Sequence, residues 1–144
     1  MITAAIILFF GCSKSNVKTN SNSWAFNGTT YTAVTTDYIT SDNFSLLGGT
    51  DARGNYVDIA FNSHPVTNGI YNLTYDHLSS ADSSTNCSIT VGNNNSSYQY
   101  NSTGKSGEIV TVTFNNGKIQ ASFNHITVAD ARDTTIVSGV IMLN

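Results

Sequence analysis

The chain has 144 residues, of which only 10% are charged, and its formal net charge is −3. This length suits one domain with a core of its own. The negative net charge leaves no basic surface for nucleic acid, which argues against nucleic acid as a partner. Asn, Ser and Thr together contribute 55 residues and maintain solubility. Thr, Val, Ile, Tyr and Phe are frequent and Pro occurs once, which favours β-strands.

The amino terminus is an apolar run at residues 2–11 that ends at Cys12 and is followed by polar residues. About ten apolar residues are too few for the roughly 20 of a membrane-spanning helix, but they match the apolar region of a cleaved signal. The apolar run, Gly11 and Cys12 resemble the lipobox of a bacterial lipoprotein. This resemblance implies a signal peptide at 1–11 and a flexible tether at 12–22, anchored in the bilayer by lipidated Cys12. A first β-strand at residues 6–10 and a secretory signal without lipidation are the alternatives.

From residue 23 onward, strand and turn signals alternate about every ten residues, which is typical of an all-β fold. Asn27-Gly28 predicts a type I′ hairpin that sets Trp24 opposite Tyr31. The predicted strands are residues 24–26, 29–39, 44–49, 55–61, 69–75, 87–91, 98–101, 108–114, 118–128 and 134–143. We therefore predict a single domain at 23–144, a β-sandwich or flattened up-and-down barrel of roughly 9–10 antiparallel strands with meander connections.

The clearest hairpin signal is Asn116-Gly117. Its register sets Val112 opposite Ala121 and, if continued, His125 opposite Glu108 as a cross-strand pair. The last strand, at 134–143, is apolar on both faces. We expect this strand to be covered on both faces; the alternative is a patch exposed to a partner.

The stretch Trp-Ala-Phe-Asn-Gly-Thr-Thr-Tyr-Thr-Ala at 24–33 follows the lipobox and tether. This arrangement resembles the small uncharacterised outer-membrane lipoproteins of the Bacteroidetes, and Gly-Ile-Tyr-Asn-Leu at 69–73 is similar to their Gly-x-Tyr-x-Leu strand start. The resemblance implies an outer-membrane lipoprotein with a single β-domain and without assigned catalytic residues. Ser-Lys-Ser-Asn after Cys12 lacks the acidic cluster of a surface-export signal in that phylum, which favours the periplasmic side over the cell surface.

The tripeptide Asp133-Thr134-Thr135 resembles the O-glycosylation site of the same bacteria. The resemblance makes Thr134 a candidate for modification. The alternative is a plain turn before the last strand, which explains Asp-Thr without any modification, since both residues are common in turns.

Residues that could perform catalysis are few. The three histidines lie far apart at 64, 77 and 125, and the only Glu is Glu108, so neither a metal-ligand spacing nor a carboxylate pair stands out. Cys87 alternates with apolar residues, which predicts a small buried side chain rather than a reactive thiol. We predict no catalytic residue, no metal site and no cofactor, and therefore no enzyme.

Aromatic residues on a polar surface suit contact with a glycan or a protein. The candidates for such a binding surface are Tyr38, Tyr56, Tyr98 and Tyr100. The predicted function is a membrane-anchored lipoprotein with a non-catalytic binding or envelope-accessory role, its partner being a glycan or an envelope protein.

The alternative function is a carrier of a small hydrophobic ligand. It requires the strands to close into a barrel with an open lumen. The residues expected to line that lumen are Trp24, Tyr31, Tyr71 and Phe123.

Overall fold

The computed structural model describes residues 22–75, 83–96 and 98–144. The predicted signal peptide at 1–11, Cys12 and the tether up to residue 21 lie outside the described residues. The described ranges contain eleven strands: β1 (Ser23–Phe26), β2 (Thr29–Thr32), β3 (Thr35–Ser41), β4 (Phe44–Thr50), β5 (Asn55–Phe61), β6 (Gly69–Leu73), β7 (Asn86–Asn93), β8 (Gln99–Ser102), β9 (Ile109–Asn115), β10 (Lys118–Ala129) and β11 (Thr134–Met142). The prediction of an all-β fold is confirmed.

The strands form one hydrogen-bonded sheet that curls around a single core. Their order is β2-β1-β11-β10-β9-β6-β7-β5-β4-β3, and β8 pairs with both β7 and β10, so that strands β6 to β10 make a closed ring. Every pair is antiparallel except β6–β7, which is parallel. The segments β3–β4–β5 and β9–β10–β11 are meanders. In contrast, β1 pairs with β11 and β6 with β9 through contacts distant in sequence.

The two predicted Asn-Gly turns have the expected backbone conformation. In Asn27-Gly28 the φ angles are 49° and 74°, and in Asn116-Gly117 they are 51° and 77°. Positive φ at both central residues defines the type I′ turn, whose twist matches that of the flanking strands. Val112 lies opposite Ala121, which confirms the predicted register of the late hairpin.

The single strand predicted at 29–39 is wrong. The chain breaks this strand between β2 and β3, because the two parts pair with different neighbours. The N–H of Ala33 donates to the carbonyl of Asn22, whereas the N–H of Val34 donates to the carbonyl of Thr50. Ala33 and Val34 are neighbours in the chain and thus connect β2 to β3, which lie at opposite ends of the strand order.

The predicted pair between His125 and Glu108 is also wrong. A β-bulge follows Phe123 in β10, where His125 has a φ of 55° and its N–H donates to the hydroxyl of Ser138. Glu108 instead accepts hydrogen bonds from the N–H and hydroxyl of Thr127. The extra residue of the bulge shifts the register by one position, which turns His125 away from Glu108.

One continuous cluster of apolar side chains fills the interior. It includes Trp24, 1% exposed, and the edge-to-face pair Phe61–Tyr71, whose ring centroids are 5.0 Å apart. Cys87 is fully buried, and desolvation raises the pKa of its thiol to about 12. The thiolate therefore does not form near neutral pH, and the prediction of a small buried side chain at this position is confirmed.

The expectation that β11 is covered on both faces is wrong. Val137 and Ile141 are fully buried, but Ile136 is 49% exposed and Val140 and Met142 are only half-buried. The reason is that β11 lies between β1 and β10 within the sheet, so its two edges are paired. Its inward face packs on the core, whereas its outward face is only partly covered.

Candidate functional site: an aromatic cleft

A cleft of about 280 Å³ opens between the β1–β2 hairpin, β8 and the loop that joins β10 to β11. The hairpin contributes Phe26, Asn27, Thr29 and Tyr31 to its wall. Alternation along β1 turns Trp24 and Phe26 inward, and the type I′ turn brings the chain back so that Tyr31 lies opposite Trp24, as predicted. The volume is close to the lower end of the roughly 300–1,000 Å³ typical of small-molecule sites.

The opposite wall comes from distant parts of the chain. Tyr100 lies in β8, Tyr98 lies just before it, and Arg132 lies in the β10–β11 loop. Strand β8 reaches this place because its carboxyl end pairs with the end of β10, where Asn101 lies opposite Ala129. The same pairing brings the loop after β10 next to the tyrosines.

Aromatic rings contact one another from the hairpin to β8. The rings of Trp24 and Tyr31 stack with centroids 5.4 Å apart and 17° between their planes. Phe26 meets Tyr100 edge-on at 5.1 Å, and Tyr100 meets Tyr98 at 6.2 Å. These separations fall within the range of favourable aromatic pairs. The contacts fix the orientation of the rings before any ligand arrives.

The β10–β11 loop holds Arg132 through the carboxylate of Asp130. Asp130 Oδ1 accepts hydrogen bonds from the backbone N–H groups of Arg132 and Asp133, both at 2.8 Å. Asp130 Oδ2 accepts from Nη2 and Nε of Arg132, at 3.0 and 3.3 Å. The Asp130 side chain is only 8% exposed, whereas that of Arg132 is 75% exposed. Hydrogen bonding, first from the Arg132 backbone N–H, lowers the pKa of Asp130, so this carboxylate is ionised at neutral pH.

The charges around the cleft are negative in balance. Two carboxylates, Asp130 and Asp133, lie beside one guanidinium, that of Arg132. The pKa of Tyr100 is raised, first by desolvation and then by these two carboxylates, while Arg132 acts in the opposite direction. The carboxylates therefore outweigh the guanidinium at the Tyr100 hydroxyl.

The structure separates the four tyrosines predicted as a binding surface. Tyr98 and Tyr100 lie together in the cleft. Tyr56 lies on the outer face of β5 across Gly92, its hydroxyl 2.5 Å from where a Cβ on Gly92 would be. Tyr38 packs against the core, and its buried hydroxyl has no hydrogen-bond partner in the described part of the chain. Only two of the four thus share one site.

Thr134 is exposed at the first position of β11, and its N–H donates to Asp133 Oδ1 at 2.7 Å. O-glycosylation of its side chain stays a prediction. Within residues 22–75, 83–96 and 98–144, no group of three or more His, Cys, Asp or Glu side chains is placed to hold a metal ion. The same residues include no helix long and apolar enough to cross a membrane.

Sequence reasoning missed three polar residues of the cleft, Asn27, Thr29 and Arg132. The tripeptide Asp-Ala-Arg occurs twice, at 51–53 and 130–132, and each copy forms a tight loop between two strands. The repetition indicates that the tripeptide itself favours a turn at both places. It does not show which of them faces the tyrosines, because β8 and the loop meet only through the fold.

Models of protein families, curated proteins and solved structures were compared with the chain, and none of them matches it. The chemistry of the cleft is therefore the basis for assigning a function.

Proposed function

We propose that this protein is a membrane-anchored envelope lipoprotein that binds a glycan in its aromatic cleft and does not act as an enzyme. The observation that carries the proposal is the combination of aromatic rings and hydrogen-bonding side chains around one opening. Ligand sites typically combine apolar walls with a few well-placed polar groups.

A glycan suits this wall better than a purely apolar ligand. A sugar ring has faces lined by C–H groups, which pack on aromatic rings, and a rim of hydroxyls, which need donors and acceptors. In the cleft, Tyr98 and Tyr31 supply aromatic surface, while Asn27, Thr29 and Arg132 supply polar groups. A protein partner is the competing occupant, and the binding experiment separates the two.

The carrier alternative has less support. Trp24, Tyr71 and Phe123, which were expected to line a lumen, are 1%, 8% and 5% exposed and belong to the continuous core cluster. Because these interior side chains pack against each other, they leave no open lumen between them for a ligand. Of the four, only Tyr31 lines the cleft, from the edge strand β2.

Tyr98→Ala should weaken glycan binding by roughly tenfold or more, since truncating a central aromatic contact typically costs at least 1–2 kcal/mol. The measurement is binding to a printed panel of glycans, followed by titration of the glycans that bind. Tyr75→Ala is the matched control, because Tyr75 is 71% exposed and outside the cleft. Thermal melting of each variant confirms that it is folded.

Two outcomes would overturn the glycan proposal. One is equal binding by wild type and Tyr98→Ala. The other is binding to no glycan on the panel; a protein partner that is then lost with Tyr98→Ala would assign the cleft to protein recognition.

We further propose attachment to the outer membrane through lipidated Cys12, on the periplasmic side. The support is the apolar run that ends at Gly11-Cys12. Stable anchoring needs more than one acyl chain, and all of the chains would be attached at Cys12. The Cys12→Ala protein should therefore leave the membrane fraction and lack the mass of the acyl groups. Fractionation and intact-mass analysis check this result. A Cys12→Ala protein that stays membrane-bound would contradict it.

A further inference from the structure

The two Asp-Ala-Arg loops use the same cap with different consequences. In each, an oxygen of the Asp carboxylate accepts a hydrogen bond from the Arg backbone N–H at 2.8 Å, for Asp51 with Arg53 and for Asp130 with Arg132. This arrangement is the Asx turn, in which a side chain takes the place of a backbone acceptor. The shared cap shows that both loops are specified locally by the tripeptide.

The second carboxylate oxygen distinguishes the loops. Asp51 Oδ2 accepts from the side-chain amide of Asn55 at 2.8 Å. Asp130 Oδ2 instead accepts from the guanidinium of Arg132. Arg132 is thereby held at the edge of the cleft, with Nη1 and the second Nη2 hydrogen left to donate elsewhere. Asp130 is a positioning residue for Arg132.

The same contacts weaken the attraction of the Arg132 guanidinium for an anionic ligand. Its guanidinium is paired with Asp130, and Asp133 adds a second carboxylate beside the cleft. A carboxylate, sulfate or phosphate on a ligand would meet this excess of negative charge. An acidic group on a ligand is therefore disfavoured in the cleft.

We infer that the cleft selects sugar rings without acidic groups and that Arg132 acts in it as a hydrogen-bond donor to sugar hydroxyls. The inference rests on the proposed function, since it names the glycan class for the same site. The aromatic rings supply the surface on which the ring packs, and Asn27 and Thr29 lie on the hairpin side to meet further hydroxyls.

The test uses a glycan panel that contains uncharged glycans and glycans that bear a uronate or a sulfate. The full-length protein should bind the uncharged glycans in preference to the acidic ones. Affinities are then measured with the glycans that bind, through the fluorescence of Trp24. It is the only tryptophan in the chain and stacks on Tyr31 at the cleft.

Arg132→Gln should weaken binding of the uncharged glycans at least about fivefold, as expected for the loss of hydrogen bonds from a charged donor. Arg132→Lys should not restore it, because a lysine keeps the charge but lacks the planar fork of donors. Arg53→Gln is the matched control and should bind as wild type. Raising NaCl from 0.1 to 1 M should change the affinity less than about twofold, although it shortens the screening length from about 10 to about 3 Å.

Preferential binding of acidic glycans, rescue by Arg132→Lys, or a loss of affinity in high salt would overturn the inference while the glycan-binding function stands. Binding to no glycan would instead overturn the proposed function itself.

Discussion

Ile141→Asp is expected to abolish the cooperative thermal transition of the domain, whereas Val140→Asp is expected to leave it folded. The two residues are neighbours on β11 but face opposite sides of the sheet. Ile141 is fully buried, and its Cδ1 atom is 2.9 Å from the position that a Cβ on Gly49 of β4 would occupy. Its side chain thus crosses the interior and joins β11 to the opposite side of the fold.

An unpaired carboxylate at Ile141 would cost several kcal/mol, a large part of the roughly 5–15 kcal/mol that stabilises a domain. Val140 is only half-buried and lies beside Ser122 on β10, so a carboxylate there stays near water. Circular dichroism melts of both variants check this expectation. Ile141→Ala gives a milder version, with an expected cost of about 2–5 kcal/mol. Unfolding of Val140→Asp would show that the outer face is covered.

Asp58→Asn is expected to stabilise the protein at pH 8 by up to about 3 kcal/mol, with the gain disappearing near pH 4. Asp58 lies on the outer face of β5, with its Oδ1 2.5 Å from where a Cβ on Gly48 would be. Asp37 lies on the other side of the same glycine. Desolvation, and to a smaller extent Asp37, raise the pKa of Asp58 to about 6.

The direction in which stability changes with pH follows from how tightly each state binds the proton of Asp58. Because the folded pKa lies above that of the unfolded chain, the folded state binds the proton more tightly. Stability therefore increases as pH falls from about 7 to about 4 and is lost again as pH rises. The opposite holds for Asp51 and Asp130, whose lowered pKa values give stability that is lost only below about pH 4. Comparing wild type with Asp58→Asn at each pH isolates the contribution of Asp58.

Urea denaturation between pH 4 and pH 8 is the measurement. Asp42→Asn is the matched control, since it removes the same charge at an exposed turn between β3 and β4. Equal stability of Asp58→Asn and wild type at pH 8, or a wild type that becomes more stable as pH rises from 5 to 8, would contradict the expectation.

The part of the cleft that could be predicted is its hairpin wall. Asn27-Gly28 sets the turn, the turn sets the register, and the register places Tyr31 opposite Trp24. Each step involves residues within a few positions of each other. Tyr98 and Tyr100 of the other wall were predicted as surface candidates. Their place opposite the hairpin could not be predicted, because Tyr100 reaches Phe26 only after β8 has paired with β7 and β10.

Which face of a strand enters the core could likewise be predicted only where the local sequence decides it. The alternation in β9, and in β10 up to Phe123, was sufficient, since one face of each strand is apolar there and only that face can enter the core. Strand β11 is apolar on both faces, so its sequence leaves the choice open. Its position between β1 and β10 made Ile141 a core residue and left Ile136 in water.

The sequence by itself determined the all-β composition, the Asn-Gly turns, the capped Asp-Ala-Arg loops and the burial of Cys87, because each depends on local backbone preference or on simple alternation. The tertiary structure alone decided the parallel pairing of β6 with β7, the break between β2 and β3, the bulge at His125 and the assembly of the cleft. These features depend on pairings between residues far apart in the chain, where many registers satisfy the same alternation. Packing of the whole core selects among them.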